Sequence, residues 1–145
     1  LCGKGNLSPV LEGTDNYTQV EYLNEDQEMA DAYACADILV SRAGSNSLCE
    51  ILAVRKPALL IPYHSGRGDQ VLNANSLKAR GLAHVMIQSD LTAKTLVPAI
   101  NALYEERELL NAAAQRYYQL EKLNALVEEW RADYEIETHP ELLKY

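Results

Sequence analysis

Long apolar runs are missing from this sequence of 145 residues. No segment approaches the roughly 20 consecutive apolar residues that a transmembrane helix needs. No charged segment followed by an apolar one marks an export signal either. The sequence therefore predicts neither a membrane span nor secretion. It begins with Leu1 and Cys2 rather than Met, and we expect it to be a fragment of a longer protein.

Positive charge is also scarce. The chain has 13 Lys and Arg against 21 Asp and Glu, a formal net charge of -8. Binding to nucleic acid phosphates requires a basic surface, so this balance argues against nucleic acid as the main partner. It argues equally against strong docking of this piece on anionic lipid.

Cysteine is rare and scattered. The three cysteines are Cys2, Cys35 and Cys49, and no two of them form a CxxC pair. Cys35 and Cys49 fall inside apolar helical patterns. We therefore predict that they are small core residues of a protein in a reducing cytoplasm.

Motifs of metal and nucleophile chemistry are absent from the sequence. It contains no GxSxG element, no P-loop and no DxD pair for a metal-held diphosphate. His64, His84 and His139 are not spaced as metal ligands. His84 falls in an apolar strand pattern, and His64 falls in a loop near the candidate site. The lone GxG of residues 3–5 indicates a turn rather than a dinucleotide site. No metal, cofactor or catalytic residue is predicted on this chain.

Strand and helix patterns alternate along most of the sequence. Strands are predicted at YTQVEYL, ILV, KPALLIP and LAHVMIQ, and helices at NEDQEMADAYACAD, SNSLCEILAVR and RGDQVLNANSLKARG. A helical region runs from Thr92 to at least Arg131, and Pro98 predicts that this helix starts or bends there. The alternation predicts an α/β fold, a Rossmann-like parallel sheet with helices on both faces.

In such sheets, ligands bind beyond the carboxyl ends of the strands. This rule selects three loops, at residues 3–6, 41–47 and 63–70. The second loop precedes a helix that begins near Ser45, whose first-turn N–H groups and dipole favour an anion. Gly44 would let a phosphate approach the backbone, and Ser45 could cap the helix.

Glu50 lies four residues after Asn46, so the two side chains share one helix face. A carboxylate at that place suits a pair of ribose hydroxyls, although an ordinary solvent-facing Glu and a simple Ser cap remain open. Leu48, Ile51 and Leu52 would pack on the sheet.

The third loop leads into a helix whose polar residues lie on one side. Asp69, Asn73 and Ser76 fall at i, i+4 and i+7, and Gln70 borders them. Amide, carboxylate and hydroxyl groups clustered at a helix start are suited to sugar hydroxyls. The alternative is that Asp69 only caps the helix and complements its dipole.

The stretch VSRAGSNSLCEILAVRKPALLIPYHSGRGDQVLNANSLKARGLA resembles the donor-binding half of the MurG family. These bacterial transferases add N-acetylglucosamine to lipid I in peptidoglycan synthesis. The resemblance covers residues 1 to about 110. It implies the C-terminal half of a two-domain GT-B fold, UDP-N-acetylglucosamine as the donor, inversion at the anomeric carbon and no DxD-bound metal.

The resemblance also implies roles for individual residues. Glu50 matches the ribose-binding glutamate, and Leu23 matches the apolar residue at the uracil. The other matched positions face the diphosphate and sugar or read the sugar hydroxyls: Arg42, Gly44, Ser45, Asn46, Asp69, Gln70 and Asn73.

The sequence departs from the family where chemistry is expected. The glycine-rich loop that closes on the diphosphate is missing, as is the acceptor domain that binds lipid I. We therefore expect residues 1–119 to be an N-terminally truncated donor-binding domain, inactive alone, and residues 120–145 to be its helical extension. The missing first strand would leave an exposed sheet edge.

The full-length protein would be cytoplasmic and peripheral at the inner face of the plasma membrane. Two other functions remain open. The chain could be a short donor subunit that works with a separate acceptor subunit in polysaccharide assembly, or a non-catalytic nucleotide-sugar binding module.

Overall fold

The computed structural model describes residues 1–24, 26–64 and 68–133. The chain divides into two compact units, Leu1–Ala36 and a second that begins at Asp37. Among the described helices, none combines the length and the apolar content that a membrane span requires.

The first unit contains a 3-10 helix, Pro9–Leu11, and the helix α1, Asp26–Cys35. The predicted turn near the N-terminus is confirmed, since Asn6 N–H donates to the Gly3 carbonyl over 3.2 Å. The strand predicted at residues 17–23 is wrong, because these residues form no ladder. The Val20 and Glu21 carbonyls accept from the Cys2 and Gly3 N–H groups over 2.8 and 3.0 Å, and side chains make further contacts with backbone. Gln19 accepts from and donates to the Ser8 backbone, each over 2.8 Å, and Glu21 accepts from Gly5 N–H.

The second unit is built on a parallel sheet of β1 (Leu39–Ser41), β2 (Ala58–Leu60) and β3 (His84–Val85), in the order β1-β2-β3. Leu39 pairs with Ala58 and Leu59 pairs with His84. The predicted parallel sheet is confirmed, with shorter strands. Within the described residues β1 is an edge strand, and its Val40 is 49% exposed, so this strand is less buried than its apolar sequence predicts.

The described part of the second unit also contains the helices α2 (Ser45–Val54), α3 (Asp69–Ala79), α4 (Ala93–Glu105) and α5 (Arg107–Asp133). A 3-10 helix, Gln88–Asp90, follows β3. α3 ends where Gly81 predicts. Gly81 has φ +67°, and the Gly81 and Leu82 N–H groups donate to the Lys78 and Leu77 carbonyls, which is the Schellman geometry.

The sheet buries both of its faces. Ala58 and Leu60 point into one apolar cluster and Leu59 into the other, as strand alternation requires. The first cluster draws on α2, α3 and the start of α5, and the second draws mainly on α4. The predicted arrangement, with helices on both faces, is therefore confirmed.

Pro98 does not mark the start of its helix. α4 begins five residues earlier at Ala93, because Thr92 and Thr95 form a capping box. Thr95 N–H donates to Thr92 Oγ1 over 3.2 Å, and Thr92 N–H donates to Thr95 Oγ1 over 3.0 Å. Pro98 lies inside α4 and lacks one helical N–H donor. The packing of Leu96, Ala99, Ile100 and Leu103 in the second cluster supports the helix on the same turns.

The prediction that the cysteines are core residues is wrong. Cys35 and Cys49 are exposed and Cys2 is half-buried, and all three are free thiols. On α2 the core face is defined by Leu48 and Ile51. Cys49 is one residue from Leu48, so the helical turn of about 100° rotates it toward solvent.

Candidate functional site

Two of the predicted loops meet at one edge of the sheet. β1 and β2 are parallel neighbours, so both strands end at that edge. β1 leads through Arg42 and Gly44 into α2, and β2 leads into α3. Asn73 joins α3 to the loop after β1, because its Nδ2 donates to the Ala43 carbonyl over 3.4 Å. The glycine-flanked turn around residue 67 lies outside the described residues.

The N-terminus of α2 opens toward this edge. Gly44 is the N-cap, with φ -69° and ψ 147°, and it offers no side chain to the helix. The prediction that Ser45 is the cap is wrong, because the extended backbone ends one residue earlier and Ser45 already lies in the first turn. Leu48 N–H makes the first helical bond, to the Gly44 carbonyl over 3.0 Å. The N–H groups of the preceding three residues therefore have no acceptor within the helix.

Gly44 also leaves open space beside its own backbone, at the N-terminus of α2. A Cβ added at this position would meet no atom within 4 Å. Its φ of -69° is accessible to any residue, so the backbone conformation does not require glycine. What glycine provides here is room at the positive end of a helix dipole, and that arrangement favours an anion.

The buried and exposed side chains of α2 lie on the two faces that the sequence predicts. Leu48 and Ile51 are buried, whereas Asn46 and Glu50 are exposed. Asn46 and Glu50 are four residues apart and lie on neighbouring turns of one face. The Glu50 carboxylate therefore lies on the solvent side of α2, one to two turns from its open end.

Arg42 directly follows β1, and its side chain contacts residues that follow β2 and β3. Its Nη1 donates to the Ile61 carbonyl, just after β2, over 3.2 Å, and to Gln88 Oε1, just after β3. Its guanidinium carbon is 5.9 Å from the centroid of the Tyr63 ring, within the range of a cation–π contact. The guanidinium is thus held two residues before the N-cap of α2.

The start of α3 presents amide and carboxylate groups at the same edge. Its N-cap is Gly68, with φ +76°, so the alternative that Asp69 caps the helix is wrong. Asp69 is exposed in the first turn, where a carboxylate complements the dipole. Gln70 Oε1 accepts from Tyr63 N–H over 2.9 Å. Gln70 therefore joins the first turn of α3 to the backbone of Tyr63, just after β2.

Gln70 and Asn73 offer opposite groups to a ligand. Gln70 uses its oxygen and Asn73 uses its nitrogen to bind backbone. Within the described residues, the remaining amide of Gln70 and the remaining oxygen of Asn73 make no further hydrogen bond. The Gln70 amide can donate a hydrogen bond and the Asn73 oxygen can accept one. This pair suits a hydroxyl group, because a hydroxyl both donates and accepts.

Ser76 does not join this group. Its Oγ accepts from Arg80 one turn further along α3, and its carbonyl accepts from Arg80 Nη1 over 3.2 Å. His64 is exposed next to Tyr63. His84 contacts Glu106 between α4 and α5, with 3.0 Å from Nε2 to Oε2, so it links β3 to those helices.

Leu23 lies in the first unit, half-buried, in the stretch before α1. Nothing in that unit tests its contact with a base, which stays a prediction. As for metals, no cluster of three or more His, Cys, Asp or Glu side chains suited to an ion occurs in the part of the chain that the structure describes.

A cavity of about 540 Å³ lies elsewhere, beside β3. Its wall is mostly apolar and includes Leu59, Met86 and Leu110, with His84 and Glu106 among its polar residues. None of its lining residues belongs to the predicted site. The predicted site is instead an open edge formed by helix ends, Arg42 and the polar face of α3.

Sequence reasoning missed Gln88 and Tyr63. The rule that ligand sites lie beyond the carboxyl ends of strands applies equally to the loop after β3, and it could have directed attention to Gln88. Tyr63 lay within the selected third loop.

Comparison with known proteins gives one family model that matches residues 1–129, the glycosyltransferase family 28 C-terminal domain. Two curated relatives share the name UDP-N-acetylglucosamine–N-acetylmuramyl-(pentapeptide) pyrophosphoryl-undecaprenol N-acetylglucosamine transferase. The one from Lachnospira eligens is 47% identical over 109 residues, which is 74% of this chain and 30% of the relative. The one from Geobacillus kaustophilus is 48% identical over 110 residues, with the same coverage.

Among solved structures, the chain is similar to Acinetobacter baumannii MurG. The TM-score is 0.58 and the identity is 25%, over 67% of this chain and 28% of that one. The chain thus spans about a third of the length of the curated relatives it matches.

Proposed function

The chain belongs to the family of glycosyltransferase family 28 C-terminal domains, and from this we propose that it is the donor-binding part of an inverting N-acetylglucosaminyltransferase. The donor is UDP-N-acetylglucosamine, the acceptor is lipid I and the product is lipid II of peptidoglycan synthesis. The observation that supports this most is the open N-terminus of α2 beside Arg42, with Glu50 further along the same helix. The names of the relatives agree with it.

In this proposal the diphosphate lies at the start of α2. The N–H groups of Ser45 and Asn46 donate to phosphate oxygens. The open space at Gly44 leaves room for those oxygens near the backbone. Arg42 adds a full positive charge two residues before the cap. As the sugar is transferred, negative charge builds on the leaving diphosphate. Preorganised donors at that place would stabilise it without a metal or a cofactor.

Glu50 would bind the ribose. It lies six residues after Gly44, which corresponds to about 9 Å along the helix axis. A carboxylate at that separation can accept from both ribose hydroxyls while it stays clear of the diphosphate. Asn46, on the same face, lies between the two groups. Leu23 would contact the uracil.

The sugar hydroxyls would meet the start of α3. The Gln70 amide donates, the Asn73 oxygen accepts, and the Asp69 carboxylate accepts from a further hydroxyl. Gln70 and Asn73 are each fixed to backbone by their other polar atom. They would therefore bind the sugar hydroxyls with little loss of side-chain entropy.

Residues 1–119 would form the donor-binding domain and residues 120–145 its extension, of which residues 134–145 lie outside the described part of the chain. α5 runs through this boundary without a break. Its buried residues, Leu110 and Ala114, and the half-buried Tyr117 precede it, and the side chains at 118–125 are exposed. Up to residue 125, the apolar packing of α5 on the core therefore ends at Tyr117.

Acceptor binding and the catalytic base would reside in parts of the relatives that this sequence does not match. We therefore expect the chain alone to bind donor without turnover. Because lipid I is a membrane lipid, the complete enzyme would work peripherally at the cytoplasmic face of the plasma membrane.

Complementation with an acceptor domain tests this function. The chain is combined with the separately expressed acceptor half of a relative, and transfer of radiolabelled N-acetylglucosamine to lipid I is followed. We expect product only when both parts are present, and none with Glu50→Ala. Donor binding without product in the combined sample would instead favour a non-catalytic nucleotide-sugar binding module.

A further inference from the structure

We propose that Gln88 is a positioning residue of the donor site, which holds the Arg42 guanidinium so that it faces the donor diphosphate. This inference rests on the proposed function. It starts from one contact that joins the ends of β1 and β3, the hydrogen bond from Arg42 Nη1 to Gln88 Oε1.

Two acceptors fix the same nitrogen of Arg42. Nη1 donates to Gln88 Oε1 and, over 3.2 Å, to the Ile61 carbonyl. Within the described residues, Nε and Nη2 make no hydrogen bond. An arginine held by one nitrogen presents its other N–H donors in a fixed direction, and two parallel N–H groups match two phosphate oxygens.

The local structure turns Gln88 toward the protein. It begins a 3-10 helix, and Leu91 N–H donates to its carbonyl over 3.3 Å. Its neighbours Ile87 and Ser89 are exposed, whereas Gln88 is half-buried. A side chain that served only solubility would not be expected to face inward at this position.

A neutral acceptor suits this place better than a charged one. Glutamine accepts the Arg42 hydrogen bond and leaves the positive charge available to an anion. A glutamate of the same length would hold Arg42 more strongly and would neutralise part of that charge. Gln88→Glu therefore distinguishes the positioning of Arg42 from the availability of its charge. This variant should preserve the position of Arg42 while it weakens the binding of diphosphate.

The chain contains a matched control at the other end of α2. Arg55 donates to Gln115 Oε1, and its guanidinium carbon lies 5.2 Å from the Tyr118 ring centroid. This repeats the Arg, Gln and Tyr arrangement of Arg42, Gln88 and Tyr63. Arg55 is the C-cap of α2, eleven residues after Gly44, so Gln115→Ala should not affect an anion at the N-terminus.

The experiment combines calorimetric titration with UDP and side-chain NMR of arginine Nε–H groups. We expect Gln88→Ala to weaken UDP binding by roughly 5- to 10-fold and to raise the mobility of the Arg42 side chain. Gln88→Glu should weaken UDP binding while Arg42 stays ordered, and Gln115→Ala should leave UDP binding unchanged. In an Arg42→Ala background, Gln88→Ala should have no further effect.

The outcomes separate the inference from the function on which it rests. Wild-type protein that binds no UDP contradicts the proposed function, whatever Gln88 does. UDP binding by the wild type that Gln88→Ala leaves unchanged overturns the inference alone, as does a loss of affinity that persists without Arg42. An Arg42 side chain equally ordered in Gln88→Ala also overturns it. Circular dichroism of each variant excludes unfolding as the cause of weaker binding.

Discussion

Asn73 donates from Nδ2 to the carbonyl of Ala43, 3.4 Å away, and so joins α3 to the loop between β1 and α2. Ala43 is completely buried, and it separates Arg42 from Gly44. The hydrogen bond therefore connects the sugar end of the proposed site to its phosphate end. The protein itself therefore holds α3 against the loop between β1 and α2.

Replacing Asn73 with Asp should destabilise the protein. An ionised aspartate cannot donate, so the Ala43 carbonyl loses its partner and faces a negative charge. We expect the free energy of unfolding to fall by about 1 kcal/mol and the thermal midpoint by about 2–5 °C. Asn75→Asp is the matched control, because Asn75 is exposed on the same helix. Equal midpoints for the two variants would mean that the Asn73 contact contributes nothing to stability.

Gly44→Ser should change stability and donor affinity in opposite directions. α2 has no side-chain cap, and serine is among the preferred N-cap residues, so the free energy of unfolding should rise by a few tenths of a kcal/mol. The new hydroxyl would occupy the open space and accept from the first-turn N–H groups of α2. It would therefore compete with phosphate for these donors. We expect UDP affinity to fall by about tenfold, which corresponds to about 1.4 kcal/mol.

Thermal unfolding and titration of the same Gly44→Ser sample check this prediction. A variant that gains stability and keeps its UDP affinity would show that phosphate does not approach the backbone at Gly44.

Leu103→Ala should be the most destabilising of these changes. Leu103 is fully buried in the cluster that packs α4 on the sheet, and removing its side chain should lower the free energy of unfolding by about 2–5 kcal/mol. Leu109→Ala, at a position that is 74% exposed, should change it by less than about 0.5 kcal/mol. Urea denaturation measures both. Similar midpoints would contradict the assignment of the second cluster as core.

Local patterns predicted the fold correctly where burial depends on the spacing of residues within one helix or one strand. α2 has the predicted division between Leu48 and Ile51 on one side and Asn46 and Glu50 on the other. The resemblance to the MurG family and the C-terminal GT-B half that it implies are confirmed by the family match and by the similarity to Acinetobacter baumannii MurG.

Local patterns failed where distant residues decide. Alternation at residues 17–23 predicted a strand, but two backbone bonds to residues 2 and 3 form no ladder, and the Gln19 and Glu21 side chains bind the backbone of residues 8 and 5. Gln88 was missed because it contacts a residue 46 positions earlier in the sequence. The prediction from Pro98 failed for a local reason instead, because the capping box of Thr92 and Thr95, a few residues earlier, starts the helix before the proline.

Titration of the chain with UDP-N-acetylglucosamine, comparing the wild type with Glu50→Ala, tests the donor site most directly. Glu121→Ala serves as the control, because Glu121 is exposed on α5 within the run of exposed side chains at 118–125. We predict that the wild type and Glu121→Ala bind the donor equally and that Glu50→Ala loses at least about tenfold in affinity, since two hydrogen bonds to a charged group are removed. Equal binding by wild type and Glu50→Ala, or no binding by the wild type, would contradict a donor site preformed on this chain.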